Sequence, residues 1–269
     1  MTRKAMLIDV SKCMACRGCQ IACKQWNQLP AVKTCFTGSY QNPPTLNAQT
    51  WTLIQFIEPE DEPLRWLFRK QQCMHCGDPA CVEACPTGAM KQRPDGIVYI
   101  DQNVCAGCKY CVEICPFGIP HADLITGTAK KCRMCIDRVD NGLQPACATA
   151  CPTGAVQFGT RDKMLKLAKE RQAILEKQTG KKPRIYGETE LGGLGVMYLL
   201  PEKASVYGLP EQPKKPLVLP RWLLGIIPGA AILYGIMKNF RQGEQKAAAA
   251  EKADEQADAP QQSDSKEVS

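Results

Sequence analysis

The sequence is poor in the residues on which most enzymes and nucleic-acid-binding proteins depend. Only 6% of its 269 residues are aromatic, and it contains two histidines, His75 and His121. Neither histidine lies in a Ser/His/Asp, Cys/His or HExxH arrangement. The glycine-rich stretch 187–195 lacks the GxGxxG spacing of a dinucleotide-binding turn and is interpreted as a loop. These absences predict a chain that makes and breaks no bonds by itself.

Positive charge is present without the features of a nucleic-acid-binding surface. The formal net charge is +7, and residues 247–269 carry six acidic and two basic side chains, a net of −4, so the remainder carries +11. That remainder has no basic run interleaved with aromatic side chains of the kind that stacks bases. Nucleic acid is therefore not an expected partner.

Cysteine is abundant, and its spacing is the most informative feature of the chain. Sixteen of the seventeen cysteines fall into four motifs, and only Cys35 stands apart. The motifs are Cys13-x2-Cys16-x2-Cys19-x3-Cys23, Cys73-x2-Cys76-x4-Cys81-x3-Cys85-Pro86, Cys105-x2-Cys108-x2-Cys111-x3-Cys115-Pro116 and Cys132-x2-Cys135-x11-Cys147-x3-Cys151-Pro152. Three closely spaced cysteines wrap one face of a cubane cluster, and the fourth, followed by proline, ligates the other cluster of a pair. The spacing predicts four [4Fe-4S] clusters in two pseudo-twofold pairs, which is an electron-transfer chain.

Two other uses of cysteine compete with this interpretation. A zinc site closes with two Cys-x2-Cys pairs and has no use for a third cysteine at the same spacing followed by Cys-Pro. A disulfide framework favours a short chain in an oxidising compartment with an even cysteine count, and no cleavable signal peptide is expected before the first motif. Arg17, Lys109 and Arg133 lie inside the motifs, where they either offset the negative charge of the clusters or are solvated surface residues.

Apolar runs and helical periodicity give the remaining organisation. The expected strands are 6–10, 51–57 and 96–100, with 65–69 as a weaker partner of the second, and the expected helices are 20–27 and 161–178. Gly180 is the predicted stop of the longer helix, and residues 28–50 are predicted to be loop.

Residues 217–237 are long and apolar enough to cross a bilayer. Twenty-one residues at 1.5 Å each cover about 31 Å, and the sixteen residues after Arg221 cover about 24 Å. Arg221 and Trp222 suit the interface, and Gly225 and Gly229 form a GxxxG face for another helix. A buried helix of a soluble domain is the alternative. The position of the run, between a Pro/Lys linker and a polar tail, favours a single membrane anchor.

The chain is accordingly divided into four parts. They are a four-cluster region over 1–160, a helix-and-loop extension over 161–216, a transmembrane anchor over 217–240 and a polar, disordered tail over 241–269. Lysine and arginine flank both ends of the anchor, so the positive-inside rule does not decide its orientation.

Several blocks outside the cysteine spacing resemble one family. They are residues 7–13 (LIDVSKC), residues 38–43 (GSYQNP), Cys73-Met74-His75-Cys76, residues 115–120 (CPFGIP), Asp137-Arg138-Val139 and residues 151–155 (CPTGA). They resemble the β (iron–sulfur) subunit of membrane-bound respiratory formate dehydrogenase over nearly the whole chain. The cysteine pattern alone is shared with the electron-transfer subunits of nitrate, dimethyl sulfoxide and polysulfide reductases, so the flanking blocks and the single C-terminal helix favour formate dehydrogenase.

The resemblance implies an α+β fold with two ferredoxin-like 2[4Fe-4S] domains, in which motif 13–23 pairs with 132–151 and motif 73–85 with 105–115. The implied ligand sets are Cys13, Cys16, Cys19 and Cys151; Cys132, Cys135, Cys147 and Cys23; Cys73, Cys76, Cys81 and Cys115; and Cys105, Cys108, Cys111 and Cys85. The first set is nearest the catalytic subunit and the last nearest haem. Nitrate reductase relatives carry tryptophan where this chain has Cys108, so four irons are expected there. Lys24, instead of proline, follows Cys23.

The resemblance also implies partners and a location. A molybdopterin catalytic α subunit, with molybdenum or tungsten, oxidises formate, and a cytochrome b γ subunit passes the electrons to quinone. The complex is a hetero-oligomer, for which a trimer of heterotrimers is the candidate. The chain is expected in the cytoplasmic (inner) membrane as a single-pass protein, with residues 1–216 in the periplasm and the tail in the cytoplasm.

Overall fold

The computed structural model describes residues 2–59 and 65–218. The transmembrane anchor predicted over 217–240 lies outside these ranges except for its first two residues, and the tail predicted over 241–269 lies wholly outside them. Within the two described ranges, no helix is long and apolar enough to cross a membrane.

Short strands and short helices alternate along the described residues. The strands are β1 (Lys4–Asp9), β2 (Leu53–Ile57), β3 (Leu67–Gln71), β4 (Met90–Gln92), β5 (Val98–Ile100), β6 (His121–Ala122), β7 (Ala129–Lys130), β8 (Val156–Thr160), β9 (Arg184–Tyr186) and β10 (Val196–Leu200). The α-helices are α1 (Gly18–Trp26), α2 (Ala80–Ala84), α3 (Tyr110–Glu113), α4 (Ile136–Asp140), α5 (Ala146–Thr149) and α6 (Arg161–Thr179). This is a mixed α/β fold, and the strands expected over 6–10, 51–57, 65–69 and 96–100 are confirmed as β1, β2, β3 and β5.

One four-stranded sheet organises the molecule, in the order β8-β1-β10-β9. The first strand, β1, lies between β8, to which it is antiparallel, and β10, to which it is parallel. Every residue of β10 is buried, and so is every residue of β1 except Lys4. Strands covered on both faces read as continuous apolar runs, so β10 does not show the alternation that marks a half-exposed strand.

Helix α6 covers one face of this sheet. It begins at Thr160, whose hydroxyl accepts a hydrogen bond from the Lys163 amide, and ends at Gly180, whose φ is +69°. The helix predicted over 161–178 and its stop are therefore confirmed. Its buried residues pack with the sheet residues that point the same way, forming a core of Ala5, Leu7, Met164, Ala168, Leu175, Ile185, Met197 and Leu199.

The opposite face of the sheet packs against the cysteine-bearing loops. Met6, Ile8, Val196 and Tyr198 share one core cluster with Cys19, Cys147, Met74 and Met134. The alternation of Leu7 and Ile8 between the two cores is the strand periodicity of two. The segment predicted as an extension, residues 161–216, thus supplies a helix and two strands to the same compact unit as residues 1–160.

A buried ion pair fixes where β1 leads into the first motif. The Asp9 carboxylate is almost fully buried, and its Oδ2 accepts a hydrogen bond from Arg171 Nε of α6 at 3.0 Å. Its other oxygen accepts hydrogen bonds from the amide and the hydroxyl of Ser11. Arg171 itself is only partly buried, and its contact with Asp9 holds the start of the cysteine loop against α6.

Candidate iron–sulfur centres

All four motifs turn in the same way at the same place. The residue immediately before the second cysteine of each motif has a positive φ: Ala15 (54°), His75 (47°), Gly107 (68°) and Met134 (55°). The left-handed conformation is unfavourable for residues with a Cβ. In three of the four motifs, the residue at this position has a Cβ and still adopts the left-handed conformation. The turn is therefore imposed by the folded loop and not by the residue's own preference.

A second repeated turn follows three of the motifs. In the sequences Cys-Pro-x-Gly, the glycine amide donates to the cysteine carbonyl at 3.2 Å for Gly88, 3.0 Å for Gly118 and 3.3 Å for Gly154. Amides just beyond then point at sulfur: Met90 N lies 3.4 Å from Cys85 Sγ, and Val156 N lies 3.4 Å from Cys151 Sγ. The CPTGA repeat of the sequence therefore builds two equivalent sulfur environments. Such amide donors stabilise thiolate charge.

The structure brings the sixteen motif cysteines together in four groups. They are quartet 1 (Cys13, Cys16, Cys19 and Cys151), quartet 2 (Cys23, Cys132, Cys135 and Cys147), quartet 3 (Cys73, Cys76, Cys81 and Cys115) and quartet 4 (Cys85, Cys105, Cys108 and Cys111). Quartets 1 and 4 each line a small cavity. In quartets 2 and 3 the thiols lie close enough to raise one another's pKa.

The donor chemistry fits a cubane cluster. All four donors of each quartet are thiols, the ligands that iron–sulfur clusters take. Within the described ranges, no three or more His, Cys, Asp or Glu side chains are arranged to hold a single metal ion. The thiols of quartets 1 and 4 instead surround a space, as a cluster with four separate iron corners requires.

The quartets follow one another in series. Cys19 of quartet 1 interacts electrostatically with Cys147 of quartet 2, and Cys132 of quartet 2 with Cys73 of quartet 3. Cys81 of quartet 3 interacts in turn with Cys111 of quartet 4. Among the sixteen motif cysteines, the exposed ones are Cys16 in quartet 1 and Cys108 in quartet 4. The two ends of the series therefore reach the surface, whereas all four cysteines of quartet 2 are buried.

Burial dominates the electrostatics of the thiols. It raises the pKa of Cys19 and Cys81 to about 12 and the pKa of Cys23 to about 11. Burial also acts to raise the pKa of Cys85, but hydrogen bonds from the Met90 amide and the Thr87 hydroxyl outweigh it, and that pKa is lowered. Most of these thiols are neutral until they bind metal, and ligation then releases their protons.

The two histidines and the seventeenth cysteine belong to none of the four quartets. His75 is fully buried, its Nδ1 accepts from the Val98 amide at 3.0 Å, and burial followed by the charge of Lys131 and Lys70 holds its pKa well below the usual range. Burial also lowers the pKa of His121. Cys35 is an exposed free thiol.

The side chains of Arg17, Lys109 and Arg133, inside the motifs, are exposed or partly exposed. Two buried lysines lie outside the motifs. Arg133 is exposed and pairs with Asp137 at 3.0 Å, and the Arg17 guanidinium lies over the Phe56 ring at 4.7 Å. Lys70 and Lys131 are instead buried. Sequence reasoning missed both, although Lys131 directly precedes Cys132 and Lys70 directly follows the strand predicted over 65–69.

Two glycines of the motifs offer a matched test of the loop geometry. A Cβ on Gly107 would lie 1.9 Å from the Gly127 carbonyl oxygen, whereas a Cβ on Gly118 would meet nothing within 4 Å. Both glycines have positive φ, so each alanine variant carries about 1–2 kcal/mol of left-handed strain. We expect Gly107→Ala to lose iron from quartet 4 and Gly118→Ala to keep it, measured as iron per chain. Equal retention by the two variants would contradict the close approach of these loops.

Comparison with known proteins agrees with this geometry. Residues 64–161 match the family model of the 4Fe-4S dicluster domain, which covers the second, third and fourth motifs. The nitrate-inducible formate dehydrogenase iron–sulfur subunit of Escherichia coli K12 is 42% identical over 232 residues, 84% of this chain and 79% of that protein. The formate dehydrogenase-O iron–sulfur subunit of the same organism is 44% identical over 215 residues, 78% of this chain and 72% of that protein.

A relative from Nitratidesulfovibrio vulgaris widens the set. Formate dehydrogenase 2 subunit beta (cytochrome c-553) is 40% identical over 214 residues, 76% of this chain and 96% of that protein. Fold, thiol sites and the dicluster match define an iron–sulfur protein with an electron-transfer role. The chain belongs to the family of formate dehydrogenase iron–sulfur subunits, as the flanking sequence blocks predicted.

Proposed function

We propose that this chain holds four [4Fe-4S] clusters, one in each quartet, and conducts electrons between a formate-oxidising subunit and a cytochrome. The series of quartets, in which the exposed cysteines are Cys16 at one end and Cys108 at the other, is the observation that carries the proposal. Bound clusters supply one-electron redox chemistry. The ligand sets are the four quartets, so each pair of motifs exchanges its fourth cysteine.

The protein's own residues set the conditions for that transfer. The motif loops fix the distances between quartets, and the amides of Met90 and Val156 place donors on the sulfurs of Cys85 and Cys151. Hydrogen bonds to sulfur and exclusion of water are two of the means by which a protein tunes a cluster's potential. From the relatives, which are iron–sulfur subunits, we infer a non-catalytic subunit of an oxidoreductase complex.

The partners are proposed from the resemblance and from the relatives' names. We assign the exposed edge of quartet 1, at Cys16, to a molybdopterin catalytic α subunit and that of quartet 4, at Cys108, to a cytochrome b γ subunit. One relative's name carries cytochrome c-553. An apolar run over 217–237 supports a single membrane anchor for the hetero-oligomer, and a trimer of heterotrimers is the proposed assembly. The proposed location is the inner membrane, with the clusters periplasmic and the tail cytoplasmic.

Isolation of the complex from anaerobic membranes tests this function directly. We expect about sixteen iron and sixteen acid-labile sulfide per chain, because each quartet holds four of each. Formate should reduce the clusters, and added quinone should reoxidise them. An iron content near twelve, or substantial zinc, would reject four clusters.

Membrane topology is tested separately, on intact spheroplasts. Protease added to intact spheroplasts should release the cluster domain and spare a tag fused after Ser269. Protection of the cluster domain would reject the periplasmic location but would not affect the proposed number of clusters. Clusters that formate cannot reduce, in a complex with full iron, would point to another oxidoreductase partner.

A further inference from the structure

Two lysines are buried beside the quartets without a carboxylate partner. Lys70, on β3, is 1% exposed, and Lys131, just before quartet 2, is 5% exposed. Ion pairs in the described part of the chain join acids to other cations, and neither lysine takes part in them. Burying an ammonium without a counter-ion has a large free-energy cost. An anion must therefore lie near each of them.

Lys70 is held in place with most of its donors unused. Its ammonium has three donors, and the acceptor that the described residues offer it is the Gln72 side-chain oxygen. The Gln72 amide in turn lies 3.1 Å from Met6 Sδ, and the Lys70 carbonyl accepts from the Tyr198 hydroxyl at 2.6 Å. Gln72 and Tyr198 thus hold the Lys70 side chain and backbone in place.

Lys70 lies near the thiols of two quartets. Lys70 lines the cavity of quartet 1, and it interacts with Cys19 of that quartet and with Cys132 and Cys147 of quartet 2. Burial acts to lower the pKa of Lys70, but the sulfur charges outweigh it and raise the pKa.

Lys131 occupies a similar place one step further along the series. Its ammonium donates to the carbonyl of Val98 and, at 3.1 Å, to that of Cys132 in quartet 2. It interacts electrostatically with Cys81 and Cys115 of quartet 3. The two lysines therefore stand beside the first and second junctions of the series.

We propose that Lys70 and Lys131 are fixed counter-charges that raise the reduction potentials of the clusters beside them, Lys70 for quartets 1 and 2 and Lys131 for quartet 3. This inference rests on the proposed function, because it needs a cluster in each quartet. A cluster that gains an electron gains one negative charge, so a nearby cation stabilises the reduced form.

Potentiometric titration of the full complex, followed by electron paramagnetic resonance, tests the proposal. Lys70→Met removes the charge and keeps the length of the side chain, and Lys70→Arg keeps the charge. Lys91→Met is the matched control, because Lys91 is exposed and paired with Asp101 at 2.8 Å. We expect Lys70→Met to lower the midpoint potentials of two clusters and leave the other two unchanged. Lys70→Arg and Lys91→Met should leave all four close to wild type.

Lys131→Met should lower the potential of a different cluster, which a variant lacking the quartet 3 cluster identifies. Unchanged potentials in Lys70→Met, with all iron retained, would overturn the inference while leaving the proposed function intact. A wild-type complex without four clusters would overturn the proposed function itself. If Lys70→Met fails to retain iron, Lys70→Gln is titrated in its place, and the same lowering of two potentials is required of it.

Discussion

Replacing Cys85 by alanine should remove the cluster held with Cys105, Cys108 and Cys111, and leave the cluster of its own motif neighbours in place. Cys85 and Cys81 lie four residues apart, at opposite ends of helix α2. Cys85 nevertheless lines the cavity of quartet 4, whereas Cys81 interacts with Cys73 and Cys115 of quartet 3. The expected loss is about four iron atoms per chain, since one ligand of one [4Fe-4S] cluster is removed.

Double variants identify the cluster that is lost, because replacing two ligands of the same cluster still removes only that one cluster. Cys85→Ala combined with Cys108→Ala should lose no more iron than either alone. Cys85→Ala combined with Cys76→Ala should lose about eight iron atoms, two clusters' worth. Cys35→Ala is the control and should lose none, because Cys35 is exposed and belongs to no quartet. The opposite pattern, with Cys85 and Cys76 non-additive, would mean that each motif closes on itself.

Anaerobic removal of iron should unfold the hairpins of the cysteine-bearing part and spare the sheet with its long helix. The core beside quartet 4 consists of Cys85, Ala89, Met90, Val98, Cys111 and Ala129. So little apolar area cannot offset the conformational entropy of the loops that it holds. Without clusters, Lys70 and Lys131 would also remain buried with no anion beside them. The core between α6 and the sheet, by contrast, contains no cysteine.

Hydrogen exchange measures this difference along the chain. After chelation, the amides of β4, β5 and β7 should lose their protection, while those of α6 and of the Leu7 and Met197 region keep it. Restoring iron and sulfide should restore the lost protection, which separates cluster loss from damage. Uniform protection after complete iron removal would show that the clusters do not hold the fold.

The sequence predicted the parts of this molecule that repeat and failed where a residue's role depends on distant contacts. Spacing alone predicted the four cysteine motifs, and helical periodicity predicted α6 with Gly180 as its end. The strand β10 escaped notice because it is buried on both faces, and such a run shows no alternation. Its parallel pairing with β1 joins segments nearly the whole described chain apart, which no local pattern reveals.

The sequence also did not predict the places of the buried lysines, because these too depend on distant contacts. Arg17, Lys109 and Arg133 attracted attention because they lie inside the motifs, yet the structure leaves Lys109 and Arg133 exposed. Lys70 reaches the quartets only because β3 pairs with β2 and Tyr198 of β10 fixes its carbonyl. A lysine in a strand usually marks the solvated face, so only its three-dimensional surroundings reveal this one.

The central place of β1 in the sheet has a consequence for the order in which the protein is made. The ribosome produces β1 first, but its neighbours β8 and β10 emerge only after Val156 and Val196. Quartets 3 and 4 take all their cysteines from residues 73–115 and can close while synthesis continues, because short loops have a low closure cost. Quartet 1 must wait for Cys151. The end of the series assigned to the catalytic subunit is thus completed last, so a truncated chain offers no finished entry point for electrons.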